Sequence, residues 1–149
     1  MEDASEFSGQ LKKLCASQRF CVLSTEYDGQ PYSNLIAFAE ADKLRSLIFM
    51  TNRNTRKYTN ALSNQKVAVM IDSRTNQTSD FTTALAVTAI GTVEEVKGVE
   101  RDRLANIYIS KHPYLAEFVN RPGQAVMKVK VIDYVIAHFD SVQVIHIHD

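Results

Sequence analysis

The sequence predicts a mainly β fold, an antiparallel β-barrel capped by a few helices. Six or seven short apolar segments, rich in β-branched residues, are separated by turn signals. Asp28-Gly29, the strongest kind of short hairpin signal, lies between the first two of them. The helical segments do not alternate regularly with the strands, as they would in a parallel sheet. These observations favour a barrel built from hairpins.

The first half of the chain predicts two helices and four strands. Residues 3–17 predict an amphipathic helix because four apolar side chains recur at helical spacing. They are Phe7, Leu11, Leu14 and Cys15. The four strands span Arg19–Thr25, Tyr32–Ala39, Leu47–Thr51 and Lys66–Ile71, and the second helix spans Thr55–Ser63.

The second half of the chain begins with a polar loop over residues 73–83. Ala84–Val96 predicts a long strand, in which Gly91 marks a bulge or bend. Pro113 suits the first turn of a short helix. The remaining elements are a helix over Gly98–Ser110, a short helix over residues 112–120, and strands over Val126–His138 and Val142–His148.

Length and composition limit the class of protein. The 149 residues correspond to one domain, 1–149, and 45% hydrophobic with 23% charged residues is usual for a globular protein. The net charge of +0 creates no field that favours nucleic acid. No apolar run approaches the ~20 residues of a membrane helix. We therefore expect a globular protein that binds neither nucleic acid nor membrane.

The cysteines and the N-terminus indicate the compartment. Cys15 and Cys21 lie on a predicted helix and a predicted strand, with the spacing of neither a redox pair nor a metal site. Residues 1–7 are acidic and lack the charged-then-apolar order of a secretory signal. We expect two buried, reduced thiols and a cytoplasmic protein.

The most informative segment is Leu47–Asp72, which predicts strand, polar loop, helix and strand. Arg56 and Lys57 fall in the first helical turn, where the helix dipole makes each cation cost about 0.3–1 kcal/mol. Cations kept beside free N–H groups favour binding of an anion, most often a phosphate. Alternatively, both cations are simply solvated, and their spacing leaves the two interpretations open. Neighbouring hydrogen-bonding side chains are Thr51, Asn52, Asn54 and Thr55.

The segment Phe49–Lys57, FMTNRNTRK, resembles the flavin-binding segment of the pyridoxamine 5′-phosphate oxidase family. The family pattern is an aromatic residue, a variable residue, Thr-Asn, two variable residues and Ser/Thr-Arg-Lys. The resemblance covers roughly Leu14–Val96, and the C-terminal third only as a pattern of helices and strands. It implies a six-stranded antiparallel split barrel of the FMN-binding type.

The resemblance also implies a homodimer with one FMN in each of two clefts at the subunit interface. Such a protein is an oxidoreductase in which the flavin carries the hydride. Carried over by position, Arg56 and Lys57 hold the FMN phosphate with help from Thr55. Along the flavin ring or ribityl chain lie Met50, Thr51 and Asn52; the residues lining the ring, largely through backbone groups, are Ser33, Asn34, Leu35 and Ile36. Catalytic residues and the partner subunit's contribution are not implied.

Several positions depart from the true oxidases. Ser33 and Phe38 stand where those enzymes have Arg and Lys, and Ala86 stands where they have Gln. The chain has no Trp, and it ends VIHIHD instead of carrying an Arg-x-His substrate clamp. These departures imply a flavoprotein of unknown small-molecule substrate, related to the oxidase but not acting on its vitamin phosphates.

The C-terminal histidines leave a second interpretation open. His146 and His148 alternate on a predicted strand, so both rings face one side, and His138 precedes them on the neighbouring strand. A metal site normally needs a third ligand, so we assign none, although Asp149 is adjacent. A solvent-facing chain end is favoured. Because some split-barrel relatives bind haem, a haem-binding or other non-catalytic ligand-binding protein is the alternative.

Three other groups have structural explanations. We interpret His112-Pro113-Tyr114 as surface turn chemistry at the start of a helix. Glu94 and Glu95 point to opposite faces of a strand, so they do not form an acid–base pair. Tyr108 and Tyr114 are expected in the core or in an interface rather than in catalysis.

Overall fold

A computed structural model describes residues 4–147 of the chain, which form an antiparallel β-sheet with helices on its outside. The strands are β1 (Phe20–Tyr27), β2 (Gln30–Ala37), β3 (Ala39–Ala41), β4 (Ser46–Asn52), β5 (Lys66–Asp72), β6 (Ala86–Val96), β7 (Gln124–His138) and β8 (Ser141–His146). The helices are α1 (Ala4–Ser17), α2 (Arg56–Ser63), α3 (Asp80–Thr83), α4 (Gly98–Lys111) and α5 (Ala116–Val119), with a 3₁₀ turn at Pro113–Leu115. No helix within residues 4–147 has the length and apolar character needed to cross a membrane.

The sheet has the strand order β2-β1-β5-β6-β7-β4-β3, with β8 added beside β7. Side chains from strands far apart in this order, such as Leu23 of β1 and Phe49 of β4, belong to one buried cluster. The sheet therefore curls around its own core, and the predicted antiparallel barrel is confirmed. A second buried cluster, which includes Ile48 and Leu104, packs α4 against the outside of β4.

The expected number of six strands is wrong, because residues 4–147 form eight. The predicted strand Tyr32–Ala39 is divided at Phe38, whose ring is buried in the core with 1% exposure. The division produces β2 and the short β3. The strand predicted over Val142–His148 is present as β8 and pairs with β7.

The predicted bulge at Gly91 is confirmed. The β6–β7 register shifts between Ile90 and Gly91. A Cβ atom at Gly91 would lie 2.1 Å from the backbone oxygen of Lys130, so only glycine fits there. Near this point β7 also changes partner, since it pairs with β4 up to Lys130 and with β8 from Asp133 onward.

The predicted hairpin between β1 and β2 is also confirmed. Asp28 and Gly29 have φ values of 51° and 81°, and positive φ at both central residues is what a type I′ turn requires. Tyr27 pairs directly with Gln30 across this turn. The tight turn thereby fixes the register of the whole β1–β2 pair.

The expected polar loop over residues 73–83 contains one helical turn, α3, which the sequence pattern missed. The Asp80 carboxylate accepts hydrogen bonds from the backbone N–H groups of Thr75 and Asn76. This carboxylate closes the loop on itself and stabilises a turn that has no apolar periodicity.

The junction of α1 and α4 buries the two thiols. Lys111 Nζ donates to the carbonyl oxygens of Cys15 at 2.6 Å and Gln18 at 2.7 Å, which caps the C-terminal end of α1. Cys15 and Cys21 are free and buried, as predicted. Desolvation by burial raises the pKa of each thiol to about 12, so both stay protonated and unreactive near neutral pH.

The interpretation of His112 as surface turn chemistry is wrong. Its side chain is buried, lies 5.0 Å from the Tyr108 ring, and places Nε2 2.7 Å from the Phe38 carbonyl oxygen. Burial lowers the pKa of His112, which favours a neutral ring that donates Nε2–H to this carbonyl. Tyr108 is buried as predicted, whereas Tyr114 is exposed.

Candidate functional site

The loop between β4 and α2 is closed by its own polar side chains. Asn52 Oδ1 accepts from the Asn54 N–H at 2.8 Å, and the Thr55 hydroxyl donates to the Asn52 carbonyl oxygen at 2.8 Å. The hydroxyl oxygens of Thr51 and Thr55 lie 2.9 Å apart. Thr55 is the N-cap of α2 and accepts from the Tyr58 N–H. These predicted site residues therefore hold the loop in shape.

Arg56 and Lys57 occupy the first turn of α2, as predicted. Within residues 4–147 no carboxylate pairs with either cation, and the first turn contains no acidic residue. The Arg56 guanidinium lies 5.2 Å from the centre of the Tyr32 ring, which joins the helix start to β2. The first turn of any helix also leaves backbone N–H groups without intrahelical acceptors. Two cations and unused donors thus converge on one helix end.

Glu95 on β6 stabilises this loop through hydrogen bonds. Its carboxylate accepts from Arg53 Nη2 at 2.7 Å and from the Tyr58 hydroxyl at 2.6 Å. The hydrogen bond from Arg53, more than the one from Tyr58, holds the pKa of Glu95 below its usual range. Sequence reasoning missed this role because the partners lie 42 and 37 residues away along the chain. The available signal was an acidic residue on the inward-facing side of a buried strand.

The four predicted residues of β2 divide between two faces. Ser33 and Leu35 lie on the outer face of the barrel, where Leu35 is 68% exposed. Asn34 and Ile36 face the interior, because they pair with the buried residues Leu23 and Cys21. The side chains of these four consecutive residues cannot all line one ligand, so any contact by all four involves backbone groups.

Asn34 has an unusual environment. Its side-chain oxygen Oδ1 is buried and has no hydrogen-bond partner within residues 4–147. A buried acceptor without a donor is rare in folded proteins and commonly marks a place for a ligand or water. Together with the cations of α2, it gives a donor and acceptor set that suits a phosphate-bearing ligand with N–H or O–H groups. FMN, with its phosphate, ribityl hydroxyls and ring N–H, fits this description.

Met50 is half-buried and packs against the second cluster, on the side of β4 that faces α4. The Met50 side chain is therefore separated from the cations of α2, and only the Met50 backbone could contact a ligand beside the loop. Of the ten predicted site residues, the structure gathers those from Thr51 to Lys57 at one end of α2.

A cavity of about 370 Å³ lies between the β1–β2 hairpin and α2, next to Arg56. Asn60 is buried in its wall and donates from Nδ2 to the Thr25 hydroxyl at 3.1 Å. The cavity is lined by Tyr27, Gln30, Tyr32, Arg56, Thr59 and Asn60.

Away from α4, the outer face of the sheet carries apolar side chains, several of which no helix within residues 4–147 covers. Residues paired across six strands form a continuous row on it: Leu35, Val22, Met70, Thr88, Val135 and Val144. Leu35 and Val144 are more than half exposed. A second row of cross-strand partners lies beside the first. It contains Ser33, Ser24, Ala68, Ile90, Asp133 and His146. Ser33 and His146 thus lie at opposite ends of one row.

Of the C-terminal histidines, the two described ones, His138 and His146, lie apart on the β7–β8 pair. His146 Nδ1 is hydrogen-bonded to Asp133 Oδ1. His138 lies at the other end of the β7–β8 pair, opposite Ser141. His148 and Asp149 lie outside the described residues. Within residues 4–147, no three side chains of the metal-ligating types come together.

The fold and the cation-bearing loop define a protein of the split-barrel class. A family model described as pyridoxamine 5′-phosphate oxidase matches residues 7–135, which is most of the chain. The chain therefore belongs to the pyridoxamine 5′-phosphate oxidase family, and the resemblance seen in the sequence is confirmed.

Individual relatives agree with this membership. A pyridoxamine 5′-phosphate oxidase homolog of Schizosaccharomyces pombe is 29% identical over 86 residues, which cover 52% of this chain and 45% of that protein. The match thus spans less than half of the relative's length. A haem-binding protein from Mycobacterium smegmatis has a TM-score of 0.84 at 11% identity, covering 98% of this chain and 59% of that one. An FAD-binding protein from Mesorhizobium loti has a TM-score of 0.66 at 21% identity, covering 91% and 94%. The two structural likenesses show the fold.

Replacing Glu95 with Gln should lower the free energy of unfolding at pH 7 by roughly 1–2 kcal/mol, because Arg53 and Tyr58 lose a charged acceptor. The pKa of Glu95 is lowered in the folded protein. The wild-type advantage should therefore be complete above the ordinary pKa of a glutamate and should vanish as the pH falls through the lowered value. Urea unfolding at pH 7 and at pH 2.5 measures both effects. The exposed neighbour variant Glu94→Gln is the control, and equal losses for the two variants would contradict the prediction.

Proposed function

We propose that the protein is a cytoplasmic FMN-binding flavoprotein and an oxidoreductase whose small-molecule substrate is unknown. The observation that carries the proposal is the pair Arg56 and Lys57 at the start of α2, with no carboxylate partner within residues 4–147. Membership of the family and the free, buried thiols of Cys15 and Cys21 support it.

The argument for a phosphate is electrostatic. Several arginines of the fold have carboxylate partners, such as Arg103, which pairs with Asp42 at 2.8 Å and Glu100 at 2.9 Å. Arg56 and Lys57 instead add positive charge to the positive end of a helix dipole. A phosphate dianion at this position would remove the repulsion and would accept from the free backbone N–H groups.

The remaining predicted residues would hold the rest of FMN. The backbone groups of residues 33–36 on the edge strand β2, together with the backbone of β4, would line the flavin ring. The inward-facing Asn34 Oδ1 would accept a hydrogen bond from the ring. Thr51 and Asn52 would act mainly by fixing the loop. FMN, when bound, supplies hydride or electron transfer, while the chain binds it, orients it and shields it from water.

The substrate differs from the vitamin phosphates of the true oxidases. Phe38, which stands where they have Lys, is buried in the core with 1% exposure. Ser33, which stands where they have Arg, is uncharged and lies 3.4 Å from Ser24 through their hydroxyl oxygens. Two cations that would hold a substrate phosphate are thus replaced by side chains that cannot do so.

The outer face supports a homodimer with FMN clefts at the subunit interface. Five of the six side chains in the row from Leu35 to Val144 are apolar, the exception being Thr88, and Ile90 beside the row is 42% exposed. An exposed apolar surface of this extent is typical of a protein interface. Because Ser33 and Leu35 lie on this face, a second copy packed against it would complete the wall of the flavin site.

A haem-binding function is the second candidate, and His146 favours it. The Nδ1–H group of His146 donating to the Asp133 carboxylate would fix the ring and leave Nε2 available, an arrangement that orients histidines for metal binding. A structural relative is described as a haem-binding protein. If haem is the ligand, His146→Ala should abolish a specific Soret absorption band and His138→Ala should retain it. A haem spectrum unchanged by His146→Ala would rule out this ligand role.

Titration with flavins tests the first proposal. FMN should bind the wild-type protein at micromolar concentrations, as measured by quenching of flavin fluorescence. Arg56→Ala or Lys57→Ala should weaken FMN binding by about 10- to 150-fold and riboflavin binding much less, because only FMN carries the phosphate. Stability of the apo protein should stay equal or rise slightly.

The exposed cation Lys12 on α1 provides the control, since Lys12→Ala should leave both affinities unchanged. Absence of FMN binding to the wild type would refute the function. Equal losses for FMN and riboflavin would show that the two cations do not hold the phosphate.

Sedimentation velocity tests the homodimer. The wild-type protein should sediment as a dimer and Leu35→Glu as a monomer, because the new carboxylate would be desolvated in the interface. Val99→Glu is the matched control, since Val99 is 87% exposed on α4, away from the outer face. A monomeric wild type that still binds FMN would contradict the shared cleft.

A further inference from the structure

The cavity between the β1–β2 hairpin and α2 has no role in the proposed FMN site. Its volume of about 370 Å³ falls within the usual range for small-molecule sites, roughly 300–1,000 Å³. It begins at Arg56, the residue proposed to hold the phosphate, and extends toward the hairpin residues Tyr27 and Gln30. A group attached to the far side of that phosphate would therefore enter it.

The walls of the cavity have the chemistry that recognises a nucleobase. Tyr27, which is 53% exposed, and Tyr32 supply aromatic rings on which a base can stack. Gln30 and Asn60 supply side-chain amides. Gln30 donates one N–H to the Pro31 carbonyl and Asn60 one to the Thr25 hydroxyl, which leaves each amide one N–H and its oxygen. Amides of this kind match the donor–acceptor edge of adenine. Arg56 adds a guanidinium, which both stacks on bases and pairs with phosphate.

The frame of the cavity is rigid. Asn60 is 3% exposed, and its hydrogen bond to the Thr25 hydroxyl ties α2 to β1. Glu26 accepts from Asn64 Nδ2 at 2.6 Å and from the Gly29 N–H, which ties the hairpin turn to the end of α2. The hairpin and helix therefore present the cavity in a fixed shape, which limits the entropy lost on binding.

We infer that this cavity is an adenine subsite and that the flavin site extends into it, so that the protein takes FAD. The inference rests on the proposed flavin function and deepens it. In FAD a second phosphate joins the FMN phosphate to adenosine, which matches the path from the start of α2 past Arg56 to Tyr27. The same subsite chemistry also suits a free adenine nucleotide bound beside FMN.

Isothermal titration calorimetry of the wild-type protein distinguishes FAD from a separate adenine nucleotide bound beside FMN. FAD binding at least 5-fold tighter than FMN supports one dinucleotide. AMP binding to protein saturated with FMN supports the subsite with a separate nucleotide. FAD no tighter than FMN, together with no AMP binding, overturns the inference while leaving the FMN proposal intact. If no flavin binds, the proposed function fails. AMP titration of the apo protein then shows by itself whether the cavity binds an adenine nucleotide.

Variants of Tyr27 test the stacking directly. Tyr27→Ala should weaken FAD binding by roughly 5- to 150-fold and leave FMN binding within 2-fold, because one base–aromatic contact is lost. Tyr27→Phe should restore FAD binding, since the ring is retained. Tyr114→Ala is the matched control, because Tyr114 is 95% exposed and lies outside the cavity. Equal losses of FMN and FAD in Tyr27→Ala would overturn the assignment of this wall to a base.

Discussion

The close approach of Gly91 to the Lys130 carbonyl is the constraint on which the barrel depends. At this point β6 and β7 shift register, and β7 passes from β4 to β8 as its second neighbour. A straight β7 could not serve both neighbours, because the bulge supplies the bend between them. The same bend lets the sheet curl around the core and leaves its other side as one apolar outer face. A side chain at Gly91 would therefore disturb the core and the outer face together.

Two arginines of the candidate site, Arg53 and Arg56, have different kinds of partner. Arg53, inside the segment Phe49–Lys57, has Glu95 as a carboxylate partner at 2.7 Å. Arg56, three residues later, has only the Tyr32 ring within residues 4–147. One arginine is thus structural and the other is left available. The contrast explains why the motif tolerates a cation at the positive end of a helix, since the anchor at Glu95 supplies the stability that Arg56 does not.

Much of this arrangement was predictable from local sequence. The Asp28-Gly29 turn and the start of α2 at Thr55 follow from short-range chemistry, and the structure has both. The inward face of Asn34, the burial of His112 and the anchor at Glu95 were not predicted. Each depends on a residue distant in sequence, which neither periodicity nor propensity encodes. The split of β2 and β3 at Phe38 has the same origin, because it marks the change of strand partner from β1 to β4.

The distance along the chain between Arg53 and Glu95 affects when the site forms. Their contact closes a loop of 42 residues, and that of Tyr58 with Glu95 closes one of 37. The chain entropy of closing such loops is lost before the contacts stabilise anything, so long-range contacts form late in folding. During synthesis, a nascent chain that has emerged only through β5 contains the whole segment Phe49–Lys57 without the carboxylate of Glu95. A truncated product that stops before β6 therefore keeps the hydrogen bonds within the loop but leaves Arg53 and Tyr58 without their partner on β6.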